Sequence, residues 1–218
     1  MKKYTICLFD LDGTLTDSKQ GIENSFKYAA KAYGISIGDM DITRYLGPPI
    51  RESARAILGE TATDERVEGL IATYREYFTK QGMFENKVYA GIPEMLQRLA
   101  DNELVLTVAT SKVGIYAEQI LTHFNLAKYF KMIVGCEMNG DRSTKKELIE
   151  HTFGKLGISN ENAIMIGDRK QDIAGAYATG IDSIAAMWGY SEPNEFEAQP
   201  PTYYADSPAD VAHVILQD

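Results

Sequence analysis

Apolar and polar positions along this chain follow two different periods in turn. Five short stretches are almost wholly apolar: Thr5–Phe9, Leu104–Ala109, Met132–Val134, Ala163–Ile166 and Ser183–Ala186. All but the last are rich in β-branched or large aliphatic residues, which predicts strands covered on both faces. Between them the spacing becomes helical. "GIPEMLQRLADN" places Pro93 in a first turn and Met95, Leu96 and Leu99 on one face. "YAEQILTHFNL" repeats apolar groups at Ile120, Leu121, Phe124 and Leu126, and "KKELIEHTFGKLGI" at Leu148, Ile149, Phe153 and Leu156 before Gly157. Strands alternating with helices predict right-handed crossovers and a parallel sheet with helices on both faces, an α/β architecture.

One region departs from this alternation. From about Ser18 to Val88 the pattern is helical throughout, with no expected strand. Ile22, Phe26, Ala29 and Tyr33 share one face, and Val67, Leu70, Ile71, Tyr74 and Phe78 share another. Gly34, Gly38, Gly47-Pro48-Pro49 and Gly59 punctuate the helices. The expected organisation is an α/β core of residues 1–16 and 89–218 with a helical domain, 17–88, inserted after the first strand. Hinges are expected near Leu15–Gln20 and Gln81–Ala90. Gly189–Pro201 reads as a surface loop, followed by a last helix near Pro208–Leu216.

Composition narrows the function classes. The chain has 218 residues, enough for one or two domains, and a formal charge of −9 that argues against binding a nucleic-acid polymer. A small anionic substrate is compatible with that charge if a cation reverses the field locally. Two cysteines, Cys7 and Cys136, have no metal or disulfide spacing. No apolar stretch approaches the ~18 residues of a membrane span, and the first residues lack a signal-peptide core. A soluble, cytoplasmic protein without membrane partners is expected, as a monomer or homodimer.

The chemistry is concentrated where the predicted strands end, the place where open α/β sheets bind ligands. Asp10-Leu11-Asp12-Gly13-Thr14 follows the first strand, Thr110-Ser111-Lys112 the second, and "GDRKQD", Gly167 to Asp172, the fourth. Arg142 and Lys145 precede a helix. Carboxylates as close as Asp10 and Asp12 repel each other, and burying them costs several kcal/mol unless a counter-charge or a chemical role separates them. The surplus of acids invites a hard divalent cation with oxygen ligands, Mg²⁺ first.

This constellation resembles the haloacid dehalogenase superfamily of phosphatases. Its DxDGT motif corresponds to Asp10, Asp12, Gly13 and Thr14. Its strand-terminal Thr or Ser corresponds to Thr110, its lysine to Lys145, and its GDxxxD motif to Gly167, Asp168 and Asp172. The resemblance spans the whole chain, because one large subgroup carries a helical cap just after the first motif. "TSK" and "RSTKKELI" are most similar to phosphoglycolate phosphatase-like members.

The resemblance implies a Rossmann-like core with an inserted α-helical cap, and a Mg²⁺-dependent phosphomonoester hydrolase acting through an aspartyl phosphate. Asp10 would be the nucleophile and Asp12 the general acid and base. The metal would be held by Asp10, Asp168 and the backbone carbonyl of Asp12. Thr110, Ser111 and the loop amides at Leu11 and Gly13 would bind the phosphoryl oxygens, with Lys145 offsetting charge. Asp172 would order Lys145 or metal-bound water. The substrate would be a small phosphorylated metabolite, with Arg51 the first candidate to read it from the cap and Lys19 and Arg44 weaker ones. Alternatives within the fold are a 5′-nucleotidase and an aryl or tyrosine phosphatase. A β-phosphoglucomutase-like phosphotransferase would want a histidine early in the cap, where Ile22 stands. A non-catalytic metabolite-binding protein is the rival from another class.

Overall fold

The computed structural model describes residues 4–38, 43–46 and 48–217. Its centre is a strand of four residues, β1 (Ile6–Phe9), buried at every position. Cys7 and Phe9 pack into one hydrophobic cluster while Ile6 and Leu8 pack into a second. Successive side chains of a strand point to opposite faces, so a continuous apolar run is what a strand covered on both sides requires.

β1 pairs in parallel with β4 (Val105–Val113) on one side and β6 (Ala163–Gly167) on the other. Outside these lie β5 (Met132–Cys136), β7 (Asp182–Ala186) and β8 (Tyr203–Ala205), giving the order β5-β4-β1-β6-β7-β8. Every pairing in the sheet is parallel. The chain fills one side of β1 and then crosses to the other. The crevice at the carboxyl ends of β1, β4 and β6 is therefore the topological switch point, the place where such sheets bind ligands.

Helices cover both faces. Leu96 and Leu99 of α4 (Ile92–Asp101), Ile120 and Leu121 of α5 (Gly114–His123) and Val211 and Ile215 of α8 (Pro208–Leu216) belong to the cluster of Phe9. Leu148, Ile149 and Phe153 of α6 (Lys145–Leu156) and Ala176 of α7 (Lys170–Thr179) belong to the cluster of Leu8.

Between β1 and β4 the chain forms α1 (Lys19–Ala32), α2 (Ile50–Leu58) and α3 (Asp64–Lys80). Phe26 of α1 packs against Tyr74 of α3 with ring centroids 4.6 Å apart and the planes tilted by 50°. α1 has no side-chain cap bond at its start. Its register is held instead by burial of Ile22, Phe26, Ala29 and Ala30.

Three elements differ from the sequence expectation. Lys87–Val88 forms a short strand, β3, antiparallel to β2 (Thr16–Asp17), and the pair ties the two ends of the helical segment together. β4 runs beyond Ala109 to Val113 with a register shift between Thr110 and Val113, so Thr110 lies within the strand. β8 occupies a stretch with no strand expectation, because three residues bounded by turns carry almost no period. Among the described residues no helix is long and apolar enough to cross a membrane.

Candidate active site

The backbone of Asp10 extends the central strand by one step. Its N–H donates to the Ile166 carbonyl at 2.9 Å, which locks it beside the strand that delivers Asp168. The chain then closes into a tight loop in which the amides of Leu15 and Thr16 donate to the Leu11 carbonyl at 2.9 and 3.0 Å. Gly13 has φ +84°, and a Cβ there would sit 2.1 Å from Asp168 Oδ2. Gly189 approaches from another loop, where a Cβ would lie 2.3 Å from that of Asp168. Two glycines thus let the backbone wrap around a carboxylate with no accessible surface. Thr14 Oγ1 donates to Asp168 Oδ1 at 2.9 Å and the Tyr190 amide to Oδ2 at 2.8 Å.

Asp10, Asp168 and Asp172 are all buried, and one oxygen of each lies within 4.8 Å of the others. Lys145 joins them. Thr144 caps α6 through a reciprocal bond with Glu147, which places Lys145 as the first helical residue. Its ammonium donates to Asp10 Oδ1 at 2.7 Å and to the Ala109 carbonyl at 2.9 Å, and lies 2.7 Å from Asp172 Oδ1. Burial works to lower its pKa, but Asp10 and Asp172 outweigh that and move it up.

Fully ionised, three carboxylates against one ammonium would leave two negative charges out of water. Burial, with Asp172 and Asp10 adding to it, pushes the Asp168 carboxyl well above the usual range. Burial pushes Asp172 up to about 6, opposed by Lys145. All available donors are hard oxygens. A divalent cation of the Mg²⁺ type fits this set, and its charge would relieve the cost of ionising it.

The pH dependence follows from these shifts. Carboxyls whose folded pKa is raised stabilise the metal-free fold at low pH, and that stability is lost as pH rises through the folded values. A Mg²⁺ ion held by these carboxylates would require them ionised, so the stabilisation it gave would grow as pH rises. The rise in melting temperature on adding Mg²⁺ is expected to be larger at about pH 7.5 than at about pH 5.5. An equal or larger rise at the lower pH would contradict the assignment.

Asp12 lies in a different setting. Its Oδ2 is 2.8 Å from Lys112 Nζ, both side chains being largely buried, while Oδ1 is buried without a hydrogen-bond partner. Asp10, Asp12, Thr110 and Ser111 line one cavity of about 140 Å³. Phe26, Tyr74 and Phe78 line it from the helical segment, and Tyr116 from α5.

The structure brings Asp10, Asp168, Asp172 and Lys145 together, with Thr110 and Asp12 at the same cavity. It does not leave the loop amides open. Leu11 N–H donates to Asp10 Oδ1 at 2.8 Å and Gly13 N–H to the Thr16 carbonyl at 2.8 Å, because the turn closes on itself there. Arg51 lines the cavity but is ion-paired with Glu68. Lys19 donates to Thr43 Oγ1 at 2.9 Å. The Arg44 side chain and Gly47 lie outside the described residues.

Sequence reasoning gave no role to three residues that the site uses. Lys112 was visible beside Thr110, but its approach to Asp12 occurs within an irregular stretch of β4 that the sequence pattern does not mark. Tyr190 receives the Lys19 amide at 3.0 Å and donates to Asp17 Oδ1 at 2.9 Å, while its own amide holds Asp168. Arg169, within the GDxxxD stretch, is buried and reaches the helical segment. No local pattern announces such long-range pairs.

Comparison with known proteins agrees with this geometry. A family model described as haloacid dehalogenase-like hydrolase matches residues 7–186. The chain is 37% identical over 214 residues to a 5′-nucleotidase of Pseudomonas aeruginosa, covering 98% of this chain and 96% of that one. It is 38% identical over 187 residues to tyrosine-protein kinase PtkA of Mycobacterium tuberculosis, covering 85% of this chain and 62% of that protein. The crystal structure of a predicted phosphatase from Clostridium acetobutylicum superposes with a TM-score of 0.93 at 39% identity, covering 99% of each chain. By its motifs, its sheet order and these relatives, the chain belongs to the haloacid dehalogenase-like hydrolase family.

Proposed function

We propose that the protein is a Mg²⁺-dependent phosphomonoester hydrolase that passes the phosphoryl group through Asp10. The observation that carries this is the pair Asp10 and Asp12 facing one cavity with different partners, a metal-type carboxylate cluster for one and a lysine for the other. In the first step a carboxylate oxygen of Asp10 bonds to phosphorus as the bond to the ester oxygen breaks. The leaving alkoxide takes a proton from Asp12. In the second step Asp12 takes a proton from water, whose oxygen cleaves the acyl phosphate and frees Asp10 and inorganic phosphate.

Lys145 holds Asp10 in place and offsets charge developing on the phosphoryl oxygens. Thr110 and Ser111 supply hydroxyls to those oxygens. Mg²⁺, bound by Asp10, Asp168 and the Asp12 carbonyl, would neutralise the substrate dianion. Asp172 orders Lys145.

Residues 17–88 act as the cap that closes over this site and reads the leaving alcohol, with 1–16 and 89–218 as the catalytic core. Two observations bear on which alcohol. Arg51, the group that would read the carboxylate of phosphoglycolate, is paired with Glu68, and Arg75 donates to the Met138 carbonyl at 3.1 Å. The rings of Phe26, Tyr74, Phe78 and Tyr116 line the cavity that Asp12 also lines. A small phosphorylated metabolite with an aromatic or apolar leaving group, an aryl ester or a nucleoside 5′-monophosphate, suits this lining better than phosphoglycolate does.

Burying a ring against such walls contributes about 1.5–3 kcal/mol, roughly tenfold to a hundredfold in kcat/KM. Phosphate release from phenyl phosphate and nucleoside monophosphates is therefore expected to exceed that from phosphoglycolate by at least about tenfold in kcat/KM. The reverse order would restore the carboxylate reading through Arg51. No release from any ester would overturn the hydrolase reading.

A further inference from the structure

Arg169 is 5% exposed and reaches three parts of the chain. Its Nε donates to Glu195 Oε1 at 2.9 Å. One guanidinium nitrogen, Nη1, donates to the carbonyl of Thr43 at 3.3 Å and to that of Leu46, 126 and 123 residues away in sequence. Its own amide donates to Asp172 Oδ2 at 3.0 Å, and its chain neighbour is Asp168. Glu195 is fixed independently, since the amides of Lys170 and Glu192 each donate to it at 2.8 Å. Leu46 is fully buried.

We propose that Arg169, braced by Glu195, is a latch that holds the helical segment shut over the catalytic carboxylates. This rests on the reading of that segment as a cap. A guanidinium is planar and permanently charged, and it offers several donors in fixed directions. One edge is tied to the core through Glu195. The acceptors of Nη1 are the carbonyls of Thr43 and Leu46, so its bonds depend on that segment being in place.

If those residues swing away, the guanidinium keeps its acid but exchanges two fixed carbonyl acceptors for water. Closure therefore restores hydrogen bonds next to Asp168. Occupancy of the site and position of the segment are thereby coupled through one side chain, without any residue of the latch touching substrate. Tyr190 complements it by pinning the hinge at Asp17 and Lys19 to the same loop that carries Glu195. Arg169 is thus a positioning residue.

The test uses Arg169→Lys, which keeps the charge opposite Glu195 but lacks the second arm, and the double variant Arg169→Met/Glu195→Gln, which removes the buried pair together. Backbone hydrogen exchange is followed in the peptide spanning 48–58, and kcat and KM are measured on phenyl phosphate. Both variants are expected to raise exchange in 48–58 about tenfold or more, with the peptide spanning β1 unchanged. KM is expected to rise more than kcat falls. Unchanged exchange in 48–58, or an increase spread evenly over the core, would overturn the latch. The exchange readout needs no turnover, so it stands or falls separately from the hydrolase reading.

Discussion

Replacing Asp10 by Asn is expected to lower phosphate release by about 10⁴-fold or more while leaving the fold intact. The side chain keeps its shape, so the carbonyl oxygen can still accept from the Leu11 amide, as Asp10 Oδ1 does at 2.8 Å. What is lost is the nucleophile. Uncatalysed hydrolysis of a phosphomonoester is so slow that enzymes supply up to ~10²¹-fold acceleration. Splitting the reaction into two displacements at phosphorus needs an anionic oxygen to make the first attack, which an amide does not offer. The substitution also removes one of the two acids that hold Lys145. Initial rates for both proteins, with their unfolding transitions, check this. A rate within tenfold of wild type in a well-folded variant would remove Asp10 from the chemistry.

Lys145→Met is expected to cost about 3–5 kcal/mol of stability at neutral pH as well as most of the activity. The lysine is 4% exposed and stands between Asp10 and Asp172 at 2.7 Å from each. Methionine fills the volume but leaves two buried carboxylates facing each other with no cation between them. Protonation relieves that repulsion, so the destabilisation should shrink as pH falls toward about 5. Urea unfolding at the two pH values, without metal, measures it. A loss that is small, or that does not depend on pH, would show that Lys145 is not the counter-charge of this cluster. Activity should fall about 10²–10³-fold through the lost stabilisation of transferring charge.

Much of this arrangement was legible in the sequence because it is local. The run Ile6–Phe9 reports a strand buried on both faces, and the acids that follow it must then lie at the sheet's carboxyl edge. Lys145 sits three and four residues before Leu148 and Ile149, so the helix that buries those two also turns the lysine inward. What the sequence did not disclose depends on distant partners. Thr110 and Lys112 take their directions from an irregularity in the pairing of β4 with β5.

Arg51 has the residue type of a substrate reader, but its pairing with Glu68, a helix away, leaves no mark in the local sequence. Arg169 stood inside a recognised motif, yet its role depends on carbonyls more than a hundred residues away. Gly13 fits a phosphate loop by its residue type, but its amide is used by Thr16 because the turn must close before the helical segment begins. β2 and β3 are two-residue strands too short for any period, although they join the ends of that segment.

The central claim is that phosphate passes through Asp10. The measurement that reaches it most directly is acid quenching of the enzyme during turnover of phenyl phosphate with Mg²⁺, followed by mass mapping of the phosphorylated peptide. The account predicts a phosphoryl group on Asp10 itself, absent in Asp10→Asn, and accumulating when Asp12→Asn slows its hydrolysis. Turnover with no phosphoryl-enzyme in either background, or a label at another residue, would contradict it.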